Sequence, residues 1–136
     1  CRDLGADEVL DHGDPEWSKK VKQLTDGEGC DVVFEHVGPA TWEGSMRSLA
    51  RLGRLVTCGG TTGPKVDVTL PHLFMKNQSV LGSTMGPRAA FPEIFQRVAE
   101  GSFRPVVDRI LPIDEIQQAH RLLEGRQVCG KLVLTL

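Results

Sequence analysis

Three short stretches combine residue types that could hold a ligand: His36-Val37-Gly38, Gly59-Gly60-Thr61-Thr62-Gly63 and Gly82-Ser83-Thr84-Met85-Gly86. Each follows a run that reads as a buried strand, and each is small and nearly uncharged. Glycine admits positive φ and lets a ligand approach the backbone closely. Backbone N–H and C=O groups, with Ser and Thr hydroxyls, then supply hydrogen bonds without bulk. A flat ring bearing an amide suits such a surface. Singly, each stretch is an ordinary turn after a strand. Together, after strands of one sheet, they point to a ligand at the strand carboxyl ends.

Other groups offer less. Glu35-His36 invites an acid–base or metal role, since a histidine near neutrality can shuttle protons. His12, His72 and His120 are scattered, and His120 reads as a structural mid-helix residue. A phosphoacceptor centre would need carboxylates gathered around a metal, and only Asp11 and Glu35 stand at strand ends. Asp3, Asp7, Asp11 and Asp14 read as loop, strand-end and cap residues. Cys1, Cys30, Cys58 and Cys129 contain no CxxC pair, so no zinc knot is written here. Cys30 and Cys58 lie in or beside apolar runs and are expected to fill core. The chain has neither a GxGxxG between strand and helix nor a GxxxxGK[ST]. No catalytic residue and no metal ligand is assigned.

The elements that must position these residues alternate. Glu8 to Asp11 is a strand candidate. Asp14 offers an N-cap with Pro15 at the first helical position, and Trp17, Val21 and Leu24 recur at helical spacing. Asp31 to Glu35 is a strand. Trp42, Met46 and Leu49 share a helix face that is expected to run to Gly53, before a strand over Arg54 to Cys58. A short helix spans Leu70 to Asn77 and leads to a strand over Ser79 to Ser83. Phe91, Ile94, Phe95 and Val98 mark another helix. Val106 to Leu111 is a strand, Asp114 caps a helix ending at Gly125, and Lys131 to Leu136 is a strand that can be buried. Trp17, Trp42 and the Phe91/Phe95 pair are expected in core. Apolar strands alternating with helices predict an α/β fold with a parallel sheet covered on both faces.

Composition narrows the partners. The chain has 136 residues, with 16 Lys and Arg against 18 Asp and Glu. No basic stripe marks a nucleic-acid partner. No apolar run reaches membrane-spanning length, and reduced thiols fit a cytoplasmic protein. The chain opens on Cys1 with what reads as the end of a helix, so it is expected to be a fragment.

Asp31 to Gly63, DVVFEHVGPATWEGSMRSLARLGRLVTCGGTTG, resembles the second half of the Rossmann domain of medium-chain dehydrogenases/reductases. That family includes zinc-dependent alcohol dehydrogenases, quinone reductases and enoyl reductases. LGADEVLDH, LFMKNQSVLGSTMG and HRLLEGRQVCGKLVLTL resemble other family segments, so the resemblance spans essentially the whole chain. It implies a partial doubly wound Rossmann sheet over residues 1–104. Residues 105–136 would be the C-terminal return of the GroES-like catalytic lobe. It also implies that two strands absent from this chain lie between Glu8–Asp11 and Asp31–Glu35.

The resemblance further implies NAD or NADP as cofactor, with any zinc in the N-terminal lobe. His36, Val37 and Gly38 would lie by the adenosine. Cys58, Gly59 and Gly60 would line the nicotinamide ribose, and Thr61 would also belong to the cofactor-binding set. Ser83, Thr84 and Met85 would offer backbone groups to the carboxamide, and Lys131 would reach the diphosphate. The expected activity is hydride transfer between the nicotinamide and an alcohol, carbonyl, quinone or enone substrate. The fragment by itself is expected to be inactive. A non-catalytic nucleotide sensor on the same fold is the alternative. Family dimers, or dimers of dimers, would pair the edge strand over residues 78–83 with its twin.

Overall fold

The structure is a computed structural model that describes residues 1–136. The chain forms two compact units, Cys1–Met85 and Gly86–Leu136. The first holds helices α1 (Trp17–Leu24), α2 (Pro39–Ser48) and α3 (Leu70–Met75) and strands β1 (Cys30–Glu35), β2 (Leu49–Thr57) and β3 (Ser79–Gly82). The strands pair in the order β1-β2-β3 and are all parallel. Phe34 lies beside Val56, and Val56 beside Leu81, so the strand ends line up at one edge.

The core of this unit is small. Trp42, Leu49 and Leu55 are buried together, with Val33 and Met46 packed against them. Helix α2 supplies Trp42 and Met46 from one face, as i,i+4 spacing requires. Helix α1 packs on α2, and Gly44 lacks the Cβ that the Trp17 indole would strike.

Several sequence expectations are corrected. Glu8 to Asp11 forms no strand. No strand of this chain lies beside it, and a strand exists only through its neighbours' hydrogen bonds. Local bonds replace them: Asp11 Oδ1 accepts from Gly13 N at 2.8 Å, and Asp11 O accepts from Asp14 N at 3.1 Å. Helix α1 starts at Trp17, two residues after Pro15, because Asp14 Oδ1 accepts from Glu16 N at 2.9 Å and closes a turn first. Helix α2 stops at Ser48, well before Gly53. There the carbonyls of Leu49 and Ala50 accept from Gln78 Nε2 at 3.3 and 3.1 Å, and Lys22 Nζ reaches Leu49 O at 3.1 Å. These tertiary donors replace the helical amides, and Leu49 turns inward as the first residue of β2.

The sheet is also barer than expected. Val32 and Phe34 are 52% and 67% exposed, so one face of β1 is uncovered.

The second unit contains α4 (Phe91–Ala99), β4 (Val107–Pro112), α5 (Ile116–Glu124) and β5 (Lys131–Thr135). Strands β4 and β5 form a separate parallel pair, joined through α5. Ala119 of α5 is buried. Asp114 does not cap α5 with its side chain, because a short 3₁₀ turn over Ile113–Glu115 precedes the helix. Strand β5 is covered on one face only: Leu132 and Leu134 are half-buried while Val133 is exposed. Phe91 and Phe95 touch, with ring centroids 5.6 Å apart, yet both are exposed rather than core. His120 is exposed as well. This second unit begins at Gly86, ahead of α4.

Candidate ligand-binding site

The residues after β1 and β2 form one hydrogen-bonded assembly. Its centre is Glu35, the last residue of β1, which is only 3% exposed. Oε1 of Glu35 accepts from Val37 N at 2.7 Å and Gly38 N at 3.1 Å. Thr41 Oγ1 donates at 3.0 Å, and Ser45 Oγ donates to Oε2 at 2.5 Å. Thr41 and Ser45 stand four apart on α2, so both hydroxyls face β1. Burial by itself pushes the Glu35 carboxyl up, but hydrogen bonds from Ser45, Gly38, Val37 and Thr41 outweigh it. The group stays charged, below the ordinary glutamate range.

The turn after β1 is therefore tied to the start of α2. Gly38 adopts φ 89°, ψ −138°, which lets Pro39 enter the first helical position. The loop after β2 is tied to the same turn. Thr61 N and Oγ1 donate to His36 O at 3.4 and 3.1 Å, and Thr62 N and Oγ1 both donate to Val37 O at 2.8 Å. Thr62 Oγ1 also accepts from Ala40 N at 3.1 Å. A Cβ on Gly60 would sit 2.7 Å from Gly63 O, and one on Gly59 3.0 Å from His36 O.

Between these loops lies a hollow of about 290 Å³, lined by Gly38, Thr57, Gly59, Gly60, Gly63 and the Trp42 ring among others. The N–H groups of Gly59 and Gly60 have no partner within the chain. A larger hollow, about 490 Å³, shares Trp42 and Val66 but is lined by Pro39, Glu43, Lys65, Asp67 and Thr69. It lacks the free strand-end amides, so the smaller hollow suits a flat polar ligand better.

The structure thus brings His36, Val37, Gly38, Cys58, Gly59, Gly60 and Thr61 together. Cys58 is exposed rather than core, because it follows the last strand residue, and Cys30 is half-buried. Ser83 donates its N–H to Thr57 O at 2.9 Å, which extends the ladder by one bond beyond β3. Thr84 and Met85 follow with unpartnered amides, and the Met85 side chain is 92% exposed. Lys131 opens β5 in the second unit, with an exposed side chain and no ion-pair partner. No three His, Cys, Asp or Glu side chains gather to hold a metal, so the residues present do not fit zinc. Asp11 is not part of any such cluster either, which removes the geometry a phosphoacceptor centre needs. The sequence reading missed the clamp role of Glu35. Its readable signal was Thr41 and Ser45, four apart at the start of the helix that follows.

The comparisons fit this geometry. The family model described as zinc-binding dehydrogenase matches residues 4–134. The chain belongs to that family. Within it, a quinone oxidoreductase of Pseudomonas aeruginosa is 34% identical, over 98% of this chain and 44% of that protein. A crystal structure of an NAD-dependent alcohol dehydrogenase is 38% identical with a TM-score of 0.88, over 99% of this chain and 39% of that one. A crotonyl-CoA carboxylase/reductase solved in complex with NADP is 25% identical with a TM-score of 0.85, over 100% of this chain and 40% of that one. The chain therefore spans less than half the length of these relatives. Its α/β fold matches the nucleotide-binding half of such structures. No helix is long and apolar enough to cross a membrane.

Proposed function

We propose that the full-length protein is an NAD(P)(H)-dependent oxidoreductase acting on an alcohol or carbonyl, a quinone or an enone. The observation that carries this is the glycine-lined hollow with free Gly59 and Gly60 amides, at the carboxyl ends of two parallel strands. Ligands of open parallel sheets bind at such ends. The residues fit a dinucleotide, whose nicotinamide supplies or accepts the hydride when bound.

The chain's own part is binding and orientation. Gly59 and Gly60 would leave room for the ribose beside Cys58 and Thr61. His36, Val37 and Gly38 would flank the adenosine. Thr84 and Met85 would offer unpartnered backbone amides to the carboxamide; Ser83 would offer its carbonyl, its N–H being engaged by Thr57. Residues 1–104 would then serve the nucleotide domain, and residues 105–136 the catalytic lobe. Any zinc would be held by residues outside this chain.

The test is a titration of the full-length protein with NADH and NADPH, followed by turnover on quinones, enones and alcohols. Binding with turnover supports the enzyme. Binding without turnover on any of them supports a nucleotide sensor instead, and no binding overturns both. Val80 and Leu81 are 39% and 46% exposed on the edge strand β3, which supports pairing of that edge with a second copy.

A further inference from the structure

We propose that Glu35 is a positioning residue for cofactor binding: its buried carboxylate orients two peptide units on which the loop after β2 hangs. The proposal rests on the dinucleotide reading above.

The physical argument runs through the planarity of the peptide. In a trans peptide the N–H of one residue and the C=O of the residue before it point in opposite directions. Glu35 Oε1 takes the N–H groups of Val37 and Gly38. The carbonyls of the same two peptides belong to His36 and Val37, and they are turned the other way. Those two carbonyls receive Thr61 and Thr62, by both backbone and hydroxyl donors. One inward carboxylate thus sets the direction of two outward acceptors. The outward acceptors set the Cys58–Gly63 loop, and that loop carries the free Gly59 and Gly60 amides.

Stability alone does not ask for a carboxylate here. A buried charge is costly to desolvate, and an apolar side chain of similar size often serves a core as well. What an apolar side chain cannot do is accept from two consecutive amides and two hydroxyls at once, which the four lone-pair sites of a carboxylate allow. Ser45 and Thr41 hold that carboxylate from α2, so the helix, β1 and the loop after β2 share one reference point.

The test uses the full-length protein with four variants: Glu35→Met, Glu35→Gln, Thr62→Val and the Glu35→Met/Thr62→Val double. Dissociation constants for NADH and NADPH are read by fluorescence titration, and cofactor KM and kcat by turnover. Glu35→Met is expected to raise the cofactor Kd and KM by about tenfold, with kcat at saturating cofactor within about twofold. Glu35→Gln keeps one oxygen facing the two amides and is expected to recover most of that loss. Thr62→Val cuts the second link and is expected to raise Kd about threefold to tenfold. Because both act on one path, the double variant is expected to fall short of the product of the two.

A purely structural role would lower the melting temperature and the active fraction while leaving Kd unchanged. Folded Glu35→Met with a Kd within twofold of the wild type overturns the proposal, and so does a full product in the double variant. If Glu35→Met does not fold, Glu35→Asp takes its place, since its shorter arm cannot hold Ser45 and the turn together. An unchanged Kd in both Glu35→Asp and Thr62→Val then overturns the proposal. A wild-type protein that binds neither dinucleotide defeats the underlying reading and this proposal with it, a result distinct from all of these.

Discussion

Gly38→Ala isolates how much of the site depends on the turn after β1. Gly38 sits at φ 89°, ψ −138°, a region that L residues enter only under strain of about 1–3 kcal/mol. An added Cβ would also lie 3.1 Å from Gly63 O and 3.2 Å from Gly60 Cα. Both neighbours are backbone, held by the Gly63 N to Gly60 O bond at 3.0 Å, so they yield only by moving the loop. Overpacking of this kind costs about 1–3 kcal/mol. The combined penalty, about 2–6 kcal/mol, is a large part of a typical domain's stability. Some of it relaxes by displacing the Cys58–Gly63 loop, so cofactor affinity should fall along with stability. Gly82→Ala is the control, because a Cβ there meets nothing within 4 Å and φ is not left-handed. Urea unfolding and dinucleotide titration of the full-length protein read both effects. If Gly38→Ala unfolds at the same urea concentration as Gly82→Ala and binds the dinucleotide equally well, the turn is not the constraint described here.

Four further outcomes are expected. Glu35 is held below the ordinary glutamate value of about 4.3. Its contribution to stability is therefore complete above that value and is lost as pH falls through the lower folded-state value. The gap in urea midpoint between wild type and Glu35→Gln should be constant near neutrality and shrink below about pH 4; a gap unchanged down to pH 3 contradicts this. Leu55→Ala removes a fully buried side chain and should cost about 2–5 kcal/mol in urea unfolding. The 136-residue chain alone should oxidise no NAD(P)H at 340 nm with any of the substrates named above, and measurable turnover would refute that. Leu81→Lys should lower the mass of the full-length assembly in light scattering; an unchanged dimer would place its interface elsewhere.

Much of the fold could be read because it depends on local pattern. Apolar runs over Asp31–Glu35 and Arg54–Cys58 announced strands, and i,i+4 repeats announced helices, since burial follows backbone periodicity. The elements misread were those whose outcome depends on distant partners. Leu49 continues a helical repeat in sequence, but Gln78 and Lys22 draw its carbonyl into β2. Glu8–Asp11 has strand composition and no strand beside it. Asp14 and Asp114 are good cap residues by type, yet tighter turns intervene before either helix.

The site divides along the same line. The sequence by itself determined which stretches are small, glycine-bearing and placed after strands, and its resemblance to the dehydrogenase family implied the cofactor class. Tertiary structure alone decided that the first two stretches are bound into one assembly, and that Glu35 holds it. Residue type can propose a hydrogen-bond donor or acceptor. Only the path of the chain decides which of them meet, and here it makes Glu35, by type a candidate acid–base or metal residue, a buried acceptor for the turn that follows β1.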